Sequence, residues 1–117
     1  MQINKSALYE RFKSYVNFET TSDGKATCFP STAKQLDLAR YLVDELKALG
    51  LSDVEITEHG YVLATLPANM EEALPVIGLI AHMDSSDEAS GANVQVQLHQ
   101  GYDGRNLVLS EGNVLKT

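Results

Sequence analysis

The residues best suited to chemistry in this 117-residue chain are His82 and Asp84, set two apart at the end of the oily run "PVIGLIA". Side chains alternate along an extended strand, so the imidazole and the carboxylate point the same way, about 6 to 7 Å apart. An imidazole that binds a metal through one ring nitrogen commonly gives its other N–H to a carboxylate, which sets the tautomer and raises the ring's basicity. One reading of the pair is therefore a zinc ligand, His82, oriented by Asp84. The other is structural: a histidine satisfied at a strand end, and an aspartate capping the loop behind it. The following Ser85-Ser86-Asp87-Glu88 run leans toward a cation, although such runs commonly face solvent. His59 stands before Gly60 in a turn and His99 ends an alternating stretch. Neither has ligand-like spacing to His82.

Other chemistries have no footing. The chain contains no glycine-rich phosphate loop, no G-x-S-x-G elbow, no C-x-x-C pair and no H-E-x-x-H. Its one cysteine, Cys28, cannot form an internal disulfide, so the fold does not call for an oxidising compartment.

The elements that must position the pair follow from hydrophobic spacing. Residues 4–17 read as a helix with Leu8, Phe12, Tyr15 and Val16 on one stripe, Asn4 as N-cap, and Ile3 against Leu8 as a hydrophobic staple. Residues 19–31, rich in Thr, Ser, Gly, Asp and Pro, form a loop long enough to serve more than connection. A second helix begins at a Thr32/Gln35 capping box and ends at Gly50, with Leu36, Ala39, Leu42, Val43, Leu46 and Leu49 inward. Asp37, Arg40, Asp44 and Lys47 fall on its solvated side. From Val54 the period changes to two, giving a hairpin that turns at His59-Gly60 and returns over residues 61–66. Residues 76–81 are apolar on both faces and predict a central strand covered on both sides, with His82 and Asp84 at its carboxyl end, where open α/β sheets place their sites. Residues 94–98 and 107–109 offer two more short strands. Two helices, a hairpin and a central strand give an α/β layered domain, yet the closing "SEGNVLKT" carries no helix to finish it.

The composition bounds the partners. Nine Lys and Arg against sixteen Asp and Glu leave a net charge of −7, which disfavours nucleic acid and anionic membranes as partners. No apolar stretch approaches the roughly 20 residues that span a bilayer, and the amino terminus lacks a signal-peptide pattern. A soluble, cytoplasmic protein is the expectation.

The chain resembles the peptidase T family, the tripeptide aminopeptidases among the zinc-dependent metallo-exopeptidases. The likeness runs through "RFKSYVNFETTS", "PSTAKQLDLARYLVDELKALGLSDVEITEHGYVLATLPAN", "IGLIAHMDSS" and "SGANVQVQ", in order and across essentially all 117 residues. It implies that His82 ligates one of two zinc ions and that Asp84, counted among the catalytic residues, orients it. It also implies hydrolysis of the first peptide bond of short peptides by zinc-activated water. The family pattern His-Val-Asp-Thr-Ser-Pro-Asp is altered here: Met83 takes the middle place, Ser85 stands for Thr, and Asp87 stands for Pro. The resemblance further implies that residues 1–117 are the N-terminal portion of the catalytic domain, part of a mixed sheet flanked by helices. The other metal ligands, the general base and a lid or dimerisation domain would come later. A related zinc dipeptidase or amino-acid deacylase is the nearest alternative. A non-catalytic piece that self-associates through an exposed sheet edge is the alternative of another class.

Overall fold

A computed structural model describes residues 3–109 and 112–116. Met1 and Gln2 of the amino terminus, and Ser110, Glu111 and Thr117 of the closing stretch, lie outside the described residues. Helix α1 spans Lys5–Val16 and α2 spans Gln35–Ala48. Strands β1 (Ser52–Ile56) and β2 (Val62–Thr65) form one antiparallel pair, and β3 (Leu107–Val108) and β4 (Val114–Leu115) form another.

Local chemistry explains most of these boundaries. The Asn4 side chain accepts from the Ala7 amide at 3.1 Å, relieving one of the orphan donors that every helix start exposes. The staple adds little, since Ile3 and Leu8 are both more than half exposed. The α2 start differs from the expected capping box. Thr32 donates its hydroxyl to the Thr21 carbonyl at 2.8 Å, and the N-cap is Lys34, with no side-chain cap. The first amides of α2 are satisfied instead by a tightened turn, Leu36 N–H to Ala33 O and Asp37 N–H to Lys34 O, each 3.1 Å. Its end is as expected. Gly50, at φ 84°, lets its own N–H reach Lys47 O and the Leu51 N–H reach Leu46 O, the paired bonds of a Schellman motif.

α2 packs over the β1–β2 hairpin. The buried apolar residues are few: Leu38 and Ala39, with Leu36, Leu42, Val43 and Leu46 half-buried beside them. Leu38 was not on the expected stripe, and Leu49, which was, is mostly exposed. The hairpin pairs Glu55 with Leu63 and Ile56 with Val62, and closes through Thr57 N–H to Tyr61 O at 2.8 Å. Gly60 is required twice over. Its φ is 84°, and a Cβ there would stand 3.3 Å from the Pro30 ring.

α1 is tied to α2 by a shared carboxylate. Arg11 Nε donates to Glu45 Oε1 at 2.6 Å, and the Tyr15 hydroxyl donates to the other Glu45 oxygen. Tyr15 and Phe18 also meet the Tyr41 ring, with centroids 6.0 and 5.2 Å away. Arg40 and Asp37, placed on the solvated side by sequence, do pair there in the open.

Two strand expectations fail. Residues 76–81 belong to no sheet: Val76, Leu79 and Ile80 are at least 94% exposed, and none of the six makes a backbone hydrogen bond. A strand apolar on both faces needs ladder partners at its edges and cover above and below. Here α2 is already committed to the hairpin, and β3 and β4 pair only with each other. Residues 94–98 likewise form no strand. The α/β class holds, as two helices with two small antiparallel sheets among the described residues, without a larger mixed sheet.

Two outcomes follow. Burial first, then the hydrogen bond to Glu45 and the charge of that carboxylate, push the Tyr15 phenol up from 10.0 to about 12. A pKa raised on folding contributes stability that is present below about pH 10 and lost as pH rises toward about 12. Denaturation midpoints followed across that window should fall more steeply for the native chain than for Tyr15→Phe. At neutral pH, Gly60→Ala should lower the unfolding free energy by about 1–2 kcal/mol, measured by urea titration.

Candidate metal corner

The segment leaving α1 builds the floor of the site. Phe18 is anchored on Tyr41, Thr20 is buried, and Thr21 is held through its carbonyl by Thr32. This fixed stretch meets Ser85 in a parallel bridge. The Ser85 N–H donates to Thr20 O at 3.2 Å, and the Ser85 carbonyl accepts from both the Ser22 N–H and the Ser22 hydroxyl, each at 3.0 Å. The long Ser/Thr-rich loop thus has the further task its length suggested. It holds the backbone immediately after Asp84.

The structure brings His82 and Asp84 together. His82 Nδ1 lies 2.9 Å from the Asp84 backbone carbonyl and 3.1 Å from Asp84 Oδ1. A carbonyl oxygen can only accept, so Nδ1 carries the proton in this arrangement. A neutral ring protonated there has its lone pair on Nε2. Nothing among the described residues bonds Nε2, and the His82 side chain is 85% exposed. The pair therefore presents an open imidazole nitrogen, aimed by a carboxylate and a carbonyl behind it.

Beside this corner lies a cleft of about 460 Å³ between the helices and the site loop. Phe12, Tyr15, Val16, Leu38 and Leu42 line one side; Met83, Ser85, Gly91 and Val94 line the other. Met83, one of the three residues that depart from the family pattern, is half-buried at this wall.

The donor set fits zinc at one corner only. An imidazole Nε2 with its partner N–H engaged is a usual zinc donor. A catalytic zinc takes about three protein ligands, however, and no group of three or more His, Cys, Asp or Glu residues is gathered for a metal among the described residues. Asp87 and Glu88 are exposed on the loop, and the Glu88 N–H bonds the Ser86 hydroxyl at 3.2 Å. His59 lies edge-on to Phe29 and Tyr61, with centroids 6.2 and 6.4 Å away, as a turn residue among aromatics. His99 lines a separate open cleft with Tyr102, Asp103 and Arg105.

Residue spacing alone did not reveal the Thr20–Ser22 contact with Ser85, or the place of Gly91. A Cβ on Gly91 would stand 2.7 Å from Thr21 Oγ1 and 3.0 Å from Ser85 Oγ. The only sequence signal was the density of Ser and Thr in residues 20–32.

No family model matches the chain. Curated proteins do. Peptidase T of Halothermothrix orenii is 51% identical over 102 residues, covering 87% of this chain and 25% of the relative. Peptidase T of Geobacillus thermodenitrificans is 50% identical over 107 residues, covering 92% and 26%. Peptidase T of Caldanaerobacter subterraneus subsp. tengcongensis is 49% identical over 114 residues, covering 96% and 28%. The chain spans about a quarter of the length of these relatives. No helix among the described residues is long and apolar enough to cross a membrane. With about half its residues identical across nearly its whole length, and with His82 and Asp84 in contact, the chain belongs to the peptidase T family.

Proposed function

We propose that this stretch supplies one metal-holding corner of a metal-dependent aminopeptidase that removes the first residue of tripeptides. The observation that carries the reading is the His82–Asp84 contact, with Nδ1 engaged at 3.1 Å and Nε2 left open. His82 would hold zinc through Nε2, and Asp84 keeps the ring in the tautomer that leaves that nitrogen available. Bound zinc would lower the pKa of a water and polarise the peptide carbonyl. The chain's own contribution is positional: residues 20–22 hold the backbone behind Asp84, and Asp84 holds the ring. The remaining ligands of the two zinc ions and the general base belong to sequence outside these 117 residues. Taken alone, the chain is inactive as a peptidase. The tripeptide preference and the cytoplasmic setting come with the family likeness, and the lone cysteine is compatible with the latter.

A second reading has its own observation. Residues 76–81 carry no charge, expose their apolar side chains and leave their backbone unpaired. Such a segment invites β-pairing with another chain, so the isolated piece self-associates.

In a protein of the relatives' full length carrying this stretch, His82→Ala should reduce tripeptide hydrolysis to background. Asp84→Asn should cost about 10- to 100-fold in kcat/KM or zinc affinity. Rates on di-, tri- and tetrapeptides and on acylated amino acids test the substrate class, and equal rates throughout would rule out the tripeptide preference. For the 117 residues alone, calorimetry should find only weak zinc binding. Tight one-to-one binding lost in His82→Ala would mean that further ligands lie within the chain.

A further inference from the structure

The Asp84–Ser85 peptide unit is bonded on both sides. Its N–H donates to Thr20 O at 3.2 Å, and its carbonyl accepts from His82 Nδ1 at 2.9 Å. A peptide unit is planar, so the two groups cannot turn independently. The next unit is held as well, because the Ser85 carbonyl accepts from Ser22 twice. Thr21 Oγ1 and Ser85 Oγ are buried at this crossing without hydrogen-bond partners, and both crowd the place where a Gly91 side chain would begin.

We infer that residues 20–22, Ser85 and Gly91 form a latch that positions His82, transmitting the placement of the α1 exit through one peptide plane to the imidazole tautomer. Thr20 and Ser22 act through the Asp84 carbonyl, not by touching substrate or metal. Gly91 acts by having no side chain, which lets the segment carrying Thr21 approach Ser85. The purpose of the latch rests on the zinc reading of His82; its existence does not.

The test uses the metal-free 117-residue chain, at a pH where the ring is neutral. Nitrogen-15 NMR of His82 reports the tautomer, and amide hydrogen exchange of Ser85 reports the latch. The native chain should show the proton on Nδ1 and a protected Ser85 amide. Gly91→Ala should bring the ring toward a mixture of both tautomers and speed Ser85 exchange about tenfold, the scale of one lost hydrogen bond. Adding Thr21→Ala to Gly91→Ala removes the nearer clashing oxygen and should restore both signals. Ser22→Ala adds no bulk and should shift both signals in the same direction as Gly91→Ala. If Ser85 loses protection in these variants while His82 keeps its proton on Nδ1, the coupling is refuted. The same holds if the native ring carries its proton on Nε2. Zinc titration of the same samples is scored separately, so a failure of His82 to bind metal leaves the latch result readable.

Discussion

The peptide unit joining Asp84 to Ser85 faces two ways, and the site depends on it. On one side it is bonded to the segment that leaves α1; on the other it accepts the His82 ring. That segment is in turn fixed by Phe18 against Tyr41 and by Thr32 at the approach to α2. A side chain that is 85% exposed is therefore oriented by helix packing some distance away, through backbone bonds and not through burial of its own. Rigid backbone is a better source of orientation than an exposed side-chain pair, which solvent competes for and salt screens.

The same arrangement explains where the burial is concentrated. The helices share Glu45 between Arg11 and Tyr15, and α2 covers the hairpin, so the compact part of the molecule is the first half of the chain. The site loop is attached to that half chiefly through Thr20, Ser22 and Ser85. The oily run leading into it is not packed against anything comparable, and Val76 to Ile80 stand open to solvent. Burying these side chains would gain roughly 25 cal/mol for each Å² of apolar surface, a gain that an unpaired, uncovered strand does not collect.

Much of the architecture was legible in the residues. Asn4 capped its helix, Gly50 closed α2, and Gly60 turned the hairpin, because each of those outcomes is decided within a few residues by backbone geometry. Where a side chain had two local options, the sequence was a poorer guide. The Thr32 hydroxyl was free to cap α2 or to bond the Thr21 carbonyl, and the second option won because the loop lay within reach. The expected central strand fails for a related reason. Hydrophobic pattern says which faces want cover, but not whether neighbours are there to supply it.

Sequence alone determined that His82 and Asp84 would share a side of an extended segment, since alternation and a spacing of two are properties of the chain itself. It also determined the family, through identity at about half the positions along nearly the whole chain. Only the tertiary structure decided which ring nitrogen is engaged and which is open. That choice depends on Thr20 and Ser22, with 63 positions separating Ser22 from Ser85 along the chain. Contacts between segments so far apart are set by how the helices pack, and no local pattern encodes them.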